Sequence, residues 1–203
     1  GDWSSDVCSS DLGETLLVLG GAGGTGTAAV QLGKALGANV IATVAGPEKV
    51  EYCKSLGADH VIDRREQDIS ETVRELTKGV GAHCVYDPVG GSAFTAASKC
   101  VAHEGRILMI GFASGSWGPV DPAHLVYQHY SVVGVIPSNY DRAFKEAAQE
   151  RLLGWWREGK IQARVEDLVP LEQRPSALER LAASQVQGNL TMAVHPDATA
   201  PGR

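Results

Sequence analysis

The fold is decided by residues 16–42, which read LLVLGGAGGTGTAAVQLGKALGANVIA. An apolar strand leads into a glycine-rich turn, an alanine-rich helix follows, and a second apolar strand ends the run. Gly21, Gly23 and Gly26 stand in G-x-G-x-x-G spacing, which lets the chain turn tightly and brings backbone N–H groups close to a pyrophosphate. The N-terminal end of the helix favours the same negative charge. This pattern predicts a dinucleotide-binding turn, and a loop without a ligand is the weaker alternative.

The rest of the chain continues the alternation of strand and helix. Apolar runs predict six strands, at residues 15–19, 39–43, 60–63, 83–87, 106–111 and 131–136, with helices at 25–36, 48–56, 69–77 and 92–101. Such alternation is typical of right-handed crossovers and a parallel sheet covered on both faces. We therefore predict an α/β fold with a doubly wound, six-stranded Rossmann sheet. Ligands of such sheets lie at the carboxyl ends of the strands, so segments 20–25, 43–47, 87–91 and 111–114 are expected to share one rim.

Residues beyond the sixth strand exceed what this sheet needs. A long helix is predicted over residues 140–158, with aromatic side chains that we expect to pack in a core or an interface. A segment over 164–170, a predicted helix over 176–186 and a predicted strand over 190–194 follow. These pieces either fold back onto the sheet or belong with another domain. We place the Rossmann domain at residues 13–163 and a return segment at 164–203.

Residues 1–12, GDWSSDVCSSDL, share no periodicity with the rest of the chain. One reading frame of a common sequencing-library adapter translates into these residues, so we interpret the segment as a translated adapter and exclude it from the fold. A natural polar tail is the alternative. On the adapter interpretation, we expect the chain to be a fragment that lacks an upstream part of the protein.

Composition argues against several classes of protein. The 203 residues carry a formal net charge of −6 without a basic cluster, which disfavours nucleic-acid or anionic-membrane partners. No apolar run approaches the roughly 20 residues that a membrane span requires. Cys53, Cys84 and Cys100 are scattered, which predicts thiols in a reducing compartment rather than disulfides or a zinc site. We therefore expect a cytoplasmic protein.

Five blocks of sequence resemble the quinone oxidoreductase (zeta-crystallin-like) branch of the medium-chain dehydrogenase/reductase superfamily. They are GAGGTGTAAVQLGKALGA at 21–38, SLGADHVID at 55–63, VYDPVGG at 85–91, GRILMIGFASG at 105–115 and YSVVGV at 130–135. The resemblance implies an N-terminal chaperonin-10-like barrel, then the Rossmann domain, then a return into the barrel. VPLEQRPSALERL at 169–181 and GNLTMAVHP at 188–196 resemble that return, and the barrel is the part that we expect to be missing.

The end of the second strand bears on the choice of cofactor. NAD sites usually place Asp or Glu there to hold the ribose 2′-hydroxyl, whereas residues 42–46 read ATVAG. The resemblance places Lys49 where the family contacts the extra phosphate of NADP, and Arg64 where many relatives carry a tyrosine for the same purpose. Two cations facing a dianion favour NADPH, although ordinary solvated charges are the alternative. Gly46 replaces a serine of the family, which leaves dual specificity open.

The resemblance also implies contacts to the nicotinamide half of the cofactor. Gly111, Phe112 and Ala113 resemble the backbone stretch along the nicotinamide, while Phe112 as a core residue and Asp87 as a turn cap are alternatives. Asn189 replaces a lysine of the family, so a contact there is left open. The predicted cofactor site comprises Gly21, Gly23, Gly24, Thr25, Gly26, Gly46, Lys49, Arg64, Val89, Gly111, Phe112 and Ala113.

The reaction implied by the resemblance is hydride transfer from NADPH to a quinone or another activated enone. The nicotinamide does this chemistry, so we predict no catalytic residue and no metal site in this domain. Cys100 and His103 have metal-like spacing but offer only two ligands. A zinc-dependent alcohol dehydrogenase of the same superfamily and a non-catalytic nucleotide-binding fragment are the alternatives. Short-chain dehydrogenases are disfavoured because no tyrosine has a lysine four positions later.

Self-association is a further expectation. Family members commonly dimerise along the last Rossmann strand, here residues 131–136, which is an apolar edge that otherwise stays exposed. We therefore expect a homodimer that acts on a small-molecule substrate.

Overall fold

A computed structural model describes residues 13–194 of the chain. Its strands are β1 (Thr15–Val18), β2 (Asn39–Val44), β3 (His60–Asp63), β4 (Ala82–Asp87), β5 (Val101–Met109), β6 (Ser131–Gly134), β7 (Val165–Pro170) and β8 (Asn189–Ala193). Its helices are α1 (Gly24–Ala35), α2 (Pro47–Ser55), α3 (Ile69–Leu76), α4 (Gly91–Ser98), α5 (Pro122–Gln128), α6 (Arg142–Arg157) and α7 (Arg174–Ala182). Two short 3-10 turns lie at Pro137–Asn139 and Leu171–Gln173.

The first six strands form one parallel sheet in the order β3-β2-β1-β4-β5-β6. The order reverses between β1 and β4, which is where an open α/β sheet leaves a crevice at the carboxyl ends of its strands. The predicted α/β class and the six-stranded Rossmann sheet are confirmed.

The sheet is covered on both faces because alternate side chains of each strand point in opposite directions. Leu16 and Val18 pack with Val30 of α1 in one core cluster. Leu17 packs with Phe94 of α4 in another. The sheet is therefore doubly wound, as predicted. All four residues of β1 are buried.

Two elements differ from the sequence prediction. β5 begins at Val101, earlier than predicted, and its register against β4 shifts between Ala82 and Cys84. The irregular pairing interrupts the alternation by which a strand is recognised. Helix α5 was not predicted; the Asp121 carboxylate caps it by accepting from the Ala123 N–H, but none of its residues is buried, so it lacks an apolar stripe.

Helix α6 does not bury its aromatic side chains, and the core packing predicted for them is wrong. Phe144 and Trp156 are 42% and 57% exposed. Tyr140 stacks on Phe144 with 4.3 Å between ring centroids, which is local packing on the helix surface. Packing of this face in an interface stays a prediction. No helix within residues 13–194 is both long and apolar enough to span a bilayer.

The return segment folds back onto the Rossmann sheet. Its strands β7 and β8 pair with each other in parallel. The Gly188 N–H donates to the Ala22 carbonyl at 2.8 Å, which attaches β8 to the glycine turn. Just before this segment, the Gln31 side chain of α1 donates to the Gln162 carbonyl at 3.1 Å and accepts from the Gln162 N–H at 2.8 Å. These contacts attach the segment to the Rossmann core, and its assignment to another domain stays a prediction.

Candidate cofactor site

The four segments predicted to share a rim lie together. The Gly21 N–H donates to the Thr43 carbonyl at 3.0 Å, and the Gly20 N–H donates to the Thr43 hydroxyl at 3.3 Å. A Cβ atom on Gly20 would lie 3.0 Å from the Val89 side chain. The Ser114 N–H donates to the Val89 carbonyl at 2.9 Å. The turns after β1, β2, β4 and β5 are thus connected side by side at the carboxyl edge of the sheet.

Glycine is required in the first of these turns for steric reasons. A Cβ atom on Gly26 would lie 2.2 Å from the carbonyl oxygen of Gly20, and one on Gly21 would lie 2.8 Å from the Ala42 side chain. Both distances are shorter than non-bonded atoms tolerate. Gly23 is different, because its added Cβ would make an ordinary contact at 3.4 Å. Contacts within the chain therefore require glycine at Gly21 and Gly26, whereas the exposed Gly23 is not required to be glycine by such contacts.

The first turn of α1 presents backbone donors at this rim. Gly23 is the N-cap residue and provides no side-chain cap. The N–H groups of Gly24, Thr25 and Gly26 begin the helix, where N–H groups have no partner within the helix. Together with the positive end of the helix dipole, these donors suit a phosphate or pyrophosphate.

The return segment contributes a residue beside these donors. The side-chain oxygen of Asn189 lies 2.4 Å from the position of a Cβ on Gly24, and the Asn189 amide nitrogen donates to the Arg164 carbonyl at 3.3 Å. Asn189, whose role the sequence left open, therefore packs against the start of α1. No sequence signal connects it to residue 24, because the two are far apart in the chain.

Cationic side chains gather beyond the end of β2. The Arg65 guanidinium lies 3.2 Å from the position of a Cβ on Gly46. Burial lowers the pKa of Lys49, and the nearby positive charges of Arg65 and Arg64 lower it further. Arg64 was predicted from the sequence and Arg65 was not, although the two arginines are adjacent in the chain. We call Lys49, Arg64 and Arg65 the cation cluster.

The Asp63 carboxylate organises the backbone of this region. It accepts from the Gly46 N–H at 3.1 Å to each oxygen and from the Arg65 N–H at 3.1 Å. These two backbone donors hold the pKa of Asp63 below its usual range. Asp63 is consequently a turn-forming carboxylate. The Lys49 ammonium donates to the Ser184 carbonyl of the return segment.

The nicotinamide side of the predicted site is built on a buried turn. Asp87 is 1% exposed and accepts from the N–H groups of Val89 and Gly90, each at 2.8 Å. Burial raises the pKa of Asp87, opposed by these two hydrogen bonds. Asp87 is thus the turn cap that the sequence left as an alternative.

The segment after β5 faces solvent at the rim. Phe112 is 51% exposed and contacts Trp117 with 4.7 Å between ring centroids, so it is not a core residue. A Cβ on Gly111 would lie 3.1 Å from the Pro88 carbonyl oxygen, to which the Ala113 N–H donates at 3.1 Å. Gly111, Phe112 and Ala113 therefore lie beside the turn that carries Val89.

The predicted cofactor residues thus form three groups along one rim: the glycine turn, the cation cluster with Gly46, and the turns carrying Val89 and Phe112. A cleft of about 350 Å³ lies elsewhere, beside α1 and α6, and meets the rim at Gly24 and Asn189. Backbone donors for a pyrophosphate and side-chain cations next to them fit a phosphorylated dinucleotide. The described residues define an α/β dinucleotide-binding domain.

Comparison with known proteins agrees with this class. Residues 24–152 match the zinc-binding dehydrogenase family. Prostaglandin reductase-3 of Mus musculus is 36% identical over 163 residues, covering 76% of this chain and 43% of the relative. Quinone oxidoreductase of Pseudomonas aeruginosa is 30% identical over 185 residues, covering 89% of this chain and 56% of the relative. The chain thus spans about half the length of these two curated relatives.

A solved structure shows the same architecture. The Escherichia coli quinone oxidoreductase complexed with NADPH superposes with a TM-score of 0.83 and 29% identity, covering 90% of this chain and 57% of that one. The chain belongs to the zinc-binding dehydrogenase family and, within the medium-chain dehydrogenase/reductase superfamily, to the quinone oxidoreductase branch. The resemblance stated from the sequence is confirmed.

Proposed function

We propose that the protein binds NADPH along this rim and uses it to reduce a quinone or another activated enone. The observation that carries the proposal is the cation cluster beside the glycine turn, at the strand end where residues 42–46 carry no carboxylate. A relative named as a quinone oxidoreductase and another named as a prostaglandin reductase support a reductase over a zinc-dependent alcohol dehydrogenase. The E. coli relative solved with NADPH supports the cofactor.

Selectivity for NADPH follows from charge. The cofactor's 2′-phosphate is a dianion, and a charge-assisted hydrogen bond to it is stronger than a neutral one. Lys49 donates to a neutral carbonyl, that of Ser184, and would exchange this bond for a charged one. Burial lowers the pKa of Lys49, and the Arg65 and Arg64 charges lower it further; a bound phosphate would offset the repulsion among these three cations.

The domain's part in the reaction is positioning. NADPH supplies a hydride from C4 of its nicotinamide, and the acceptor takes up the hydride and a proton. The Asp87 carboxylate holds the turn that carries Val89, while the exposed Phe112 ring and the Gly111 backbone form the neighbouring surface. We assign no chemical step to a side chain of this domain, because fixed orientation and exclusion of water supply the catalysis.

Calorimetric titration of the chain with NADPH and with NADH tests the cofactor. We expect NADPH to bind about tenfold or more tightly than NADH, since one charged hydrogen bond is worth about 1.5 kcal/mol or more. Tighter binding of NADH, or no heat with either nucleotide, would contradict the proposed role of the cation cluster.

We further propose that residues 13–163 form the cofactor domain, that residues 164–203 return toward a second domain, and that this second domain is a barrel that completes the substrate pocket. Joining this chain to the part of the P. aeruginosa relative that it does not cover tests the arrangement. We expect quinone turnover from the joined protein and negligible turnover from the chain alone. Full turnover by the chain alone would remove the need for a barrel. If the joined protein bound NADPH but turned over neither a quinone nor an enone, the proposed substrate class would be refuted.

The assembly and compartment belong to the proposal as well. The β6 edge carries half-buried Val132 and Val133, and Ile136 beyond it is 59% exposed, which suits edge-to-edge pairing of two copies. Light scattering is expected to give a dimer, and a monomer would contradict it. Among the described cysteines, Cys53, Cys84 and Cys100 are buried and no disulfide links them, which supports a reducing, cytoplasmic location.

A further inference from the structure

A cluster of three potential metal ligands lies at the opposite end of the sheet from the cofactor rim. His103 and Glu104 belong to β5, and His129 ends helix α5. One ligand atom from each of these residues lies within 4.8 Å of the other two. The imidazole rings of His103 and His129 are 4.7 Å apart between centroids and meet edge to face at 81°. All three side chains are exposed.

The backbone holds this cluster together. The Glu104 N–H donates to the His129 carbonyl at 2.7 Å. Glu104 and His129 both adopt the left-handed conformation, with φ of 59° and 53°, which non-glycine residues occupy infrequently. The two segments are therefore joined at the residues that carry the ligands, and the ligand-bearing side chains start from fixed backbone positions.

The donor set matches a particular class of ion. Two imidazole nitrogens and one carboxylate oxygen form the three-residue set of open tetrahedral zinc sites, in which water takes the fourth position. Ligand atoms around a tetrahedral zinc lie about 3.3 Å apart, because each Zn–N or Zn–O bond is about 2.0–2.1 Å. Exposed side chains can rotate to shorten the present separation to that value. Harder cations such as Mg²⁺ and Ca²⁺ prefer oxygen ligands.

We propose that His103, Glu104 and His129 bind a divalent transition-metal ion of the Zn²⁺ type. The ion would link the end of α5 to the start of β5, next to the edge strand β6. It stands at the amino ends of these strands, whereas Gly111 and the cofactor rim follow the carboxyl end of β5. The proposed ion would therefore lie away from the cofactor rim, and we expect it to take no part in hydride transfer.

This site differs from the spacing noted in the sequence. The thiol of Cys100 is buried and donates to the Ala97 carbonyl at 3.3 Å, and burial raises its pKa to about 12. Cys100 is thus unsuited to bind metal as a thiolate. The partners of His103 are instead the adjacent Glu104 and His129 from another element, which spacing within one segment does not indicate.

The test titrates the chain with Zn²⁺ in competition with a chromophoric chelator, and with Co²⁺ by its visible d–d absorption. Both titrations use a Cys8→Ser background, so that the thiol of Cys8, which lies outside the described residues, cannot bind the added metal. We expect one equivalent to bind with micromolar affinity, without a thiolate-to-cobalt charge-transfer band. Saturating Zn²⁺ is expected to raise the Tm by about 5 °C, since a ligand that binds only the folded state stabilises it.

The variants His103→Gln, Glu104→Gln and His129→Asn each remove one ligand. Asn is chosen at residue 129 because it tolerates the left-handed conformation. Loss of a residue that only supports a metal ligand costs roughly 10- to 100-fold in metal affinity. Each variant removes a ligand itself, so we expect at least that loss of affinity and no rise in Tm with Zn²⁺. His60→Ala and His195→Ala are matched controls that should leave both readouts unchanged.

Three results would overturn the proposal. One is the absence of a stoichiometric Zn²⁺ or Co²⁺ signal from the parent chain. Another is equal affinity in the parent and in all three ligand variants. The third is loss of binding in a control variant together with retention in the ligand variants. Circular dichroism of each variant confirms that the exposed substitutions leave the fold intact, and NADPH binding is expected to be the same with and without metal.

Discussion

The glycine turn and the cation cluster are neighbours on one rim, but they are built in opposite ways. The glycine turn is packed so closely that a Cβ on Gly26 would reach within 2.2 Å of a backbone oxygen. The cation cluster consists of side chains on the surface: Arg64 and Arg65 are exposed and Lys49 is partly buried. The glycine turn depends on residues that have no Cβ atom. The cation cluster depends on charges at the ends of flexible side chains.

This difference separates two properties of a cofactor site. Backbone N–H groups at the start of α1 suit the pyrophosphate common to NADH and NADPH, so we expect the turn to govern affinity for both. On the proposed function, the exposed cations would distinguish only the extra phosphate, and water and salt would weaken their effect. Damage to the turn should therefore abolish binding, whereas damage to the cluster should change the preference between the two cofactors.

The largest effect is expected from Gly26→Ala. The new methyl group collides with the Gly20 carbonyl, and overpacking against backbone costs about 3 kcal/mol. We expect urea unfolding at a lower midpoint and loss of both NADPH and NADH binding. Gly154→Ala, whose added methyl meets nothing within 4 Å inside α6, is the control and should unfold no earlier than the parent. Equal stability of both variants would contradict the steric argument.

The next effect is a change of preference. Lys49→Gln and Arg65→Gln should each lower NADPH affinity about tenfold, or about 1.4 kcal/mol, because each removes one charge-assisted hydrogen bond. NADH affinity should stay within about twofold, since NADH lacks the phosphate. Lys54→Gln is the matched control on the same helix, because Lys54 pairs with Glu51 instead, at 2.8 Å. Calorimetry that shows parallel losses for both cofactors would place these residues outside the phosphate site.

A smaller effect is expected from salt. Raising the ionic strength from about 0.05 M to about 0.5 M shortens the screening length severalfold. NADPH affinity should fall several-fold over this range. NADH affinity should change less, because NADH has no 2′-phosphate to attract the cation cluster. The Lys49→Gln variant should have a shallower salt dependence than the parent. Identical slopes for the two cofactors would mean that exposed cations do not distinguish them.

The smallest effect is expected at alkaline pH. Burial and the neighbouring Arg65 and Arg64 charges lower the pKa of Lys49 below 10.5, and a bound phosphate favours the protonated amine. NADPH affinity should therefore decline as pH rises through the Lys49 pKa, with no matching decline for NADH or for Lys49→Gln. Without cofactor the unfolded chain holds this proton more tightly, so the Lys49 contribution to stability rises between the folded-state pKa and 10.5. Titrations and urea unfolding at several alkaline pH values measure both signs.

Much of the fold could be predicted because it rests on local patterns. The six strands of the main sheet are apolar runs, and the crossover rule places their carboxyl ends on one side. The start of β5 was predicted too late and α5 was not predicted, because local patterns are absent at both places. Val101 precedes a register shift, and α5 has no buried residue to mark a face.

The proposed cofactor site could be assembled from the sequence to the extent that its residues lie in recognisable segments. The glycine turn, Lys49 and the segment around Phe112 each follow a strand, and the structure brings them to one rim. Arg65 was missed because its position over Gly46 depends on the bend that Asp63 stabilises. Asn189 was left open because it reaches Gly24 from the far end of the chain.

The sequence by itself determined the parallel α/β class, the glycine turn and the lack of a carboxylate at the end of β2. These features depend on the spacing of neighbouring residues and on backbone sterics, which act over a few positions. Only the tertiary structure decided how the return segment attaches to α1, which cations meet near Gly46, and that His103 and Glu104 face His129. Those meetings depend on strand register and crossover paths between distant segments, which no local periodicity encodes.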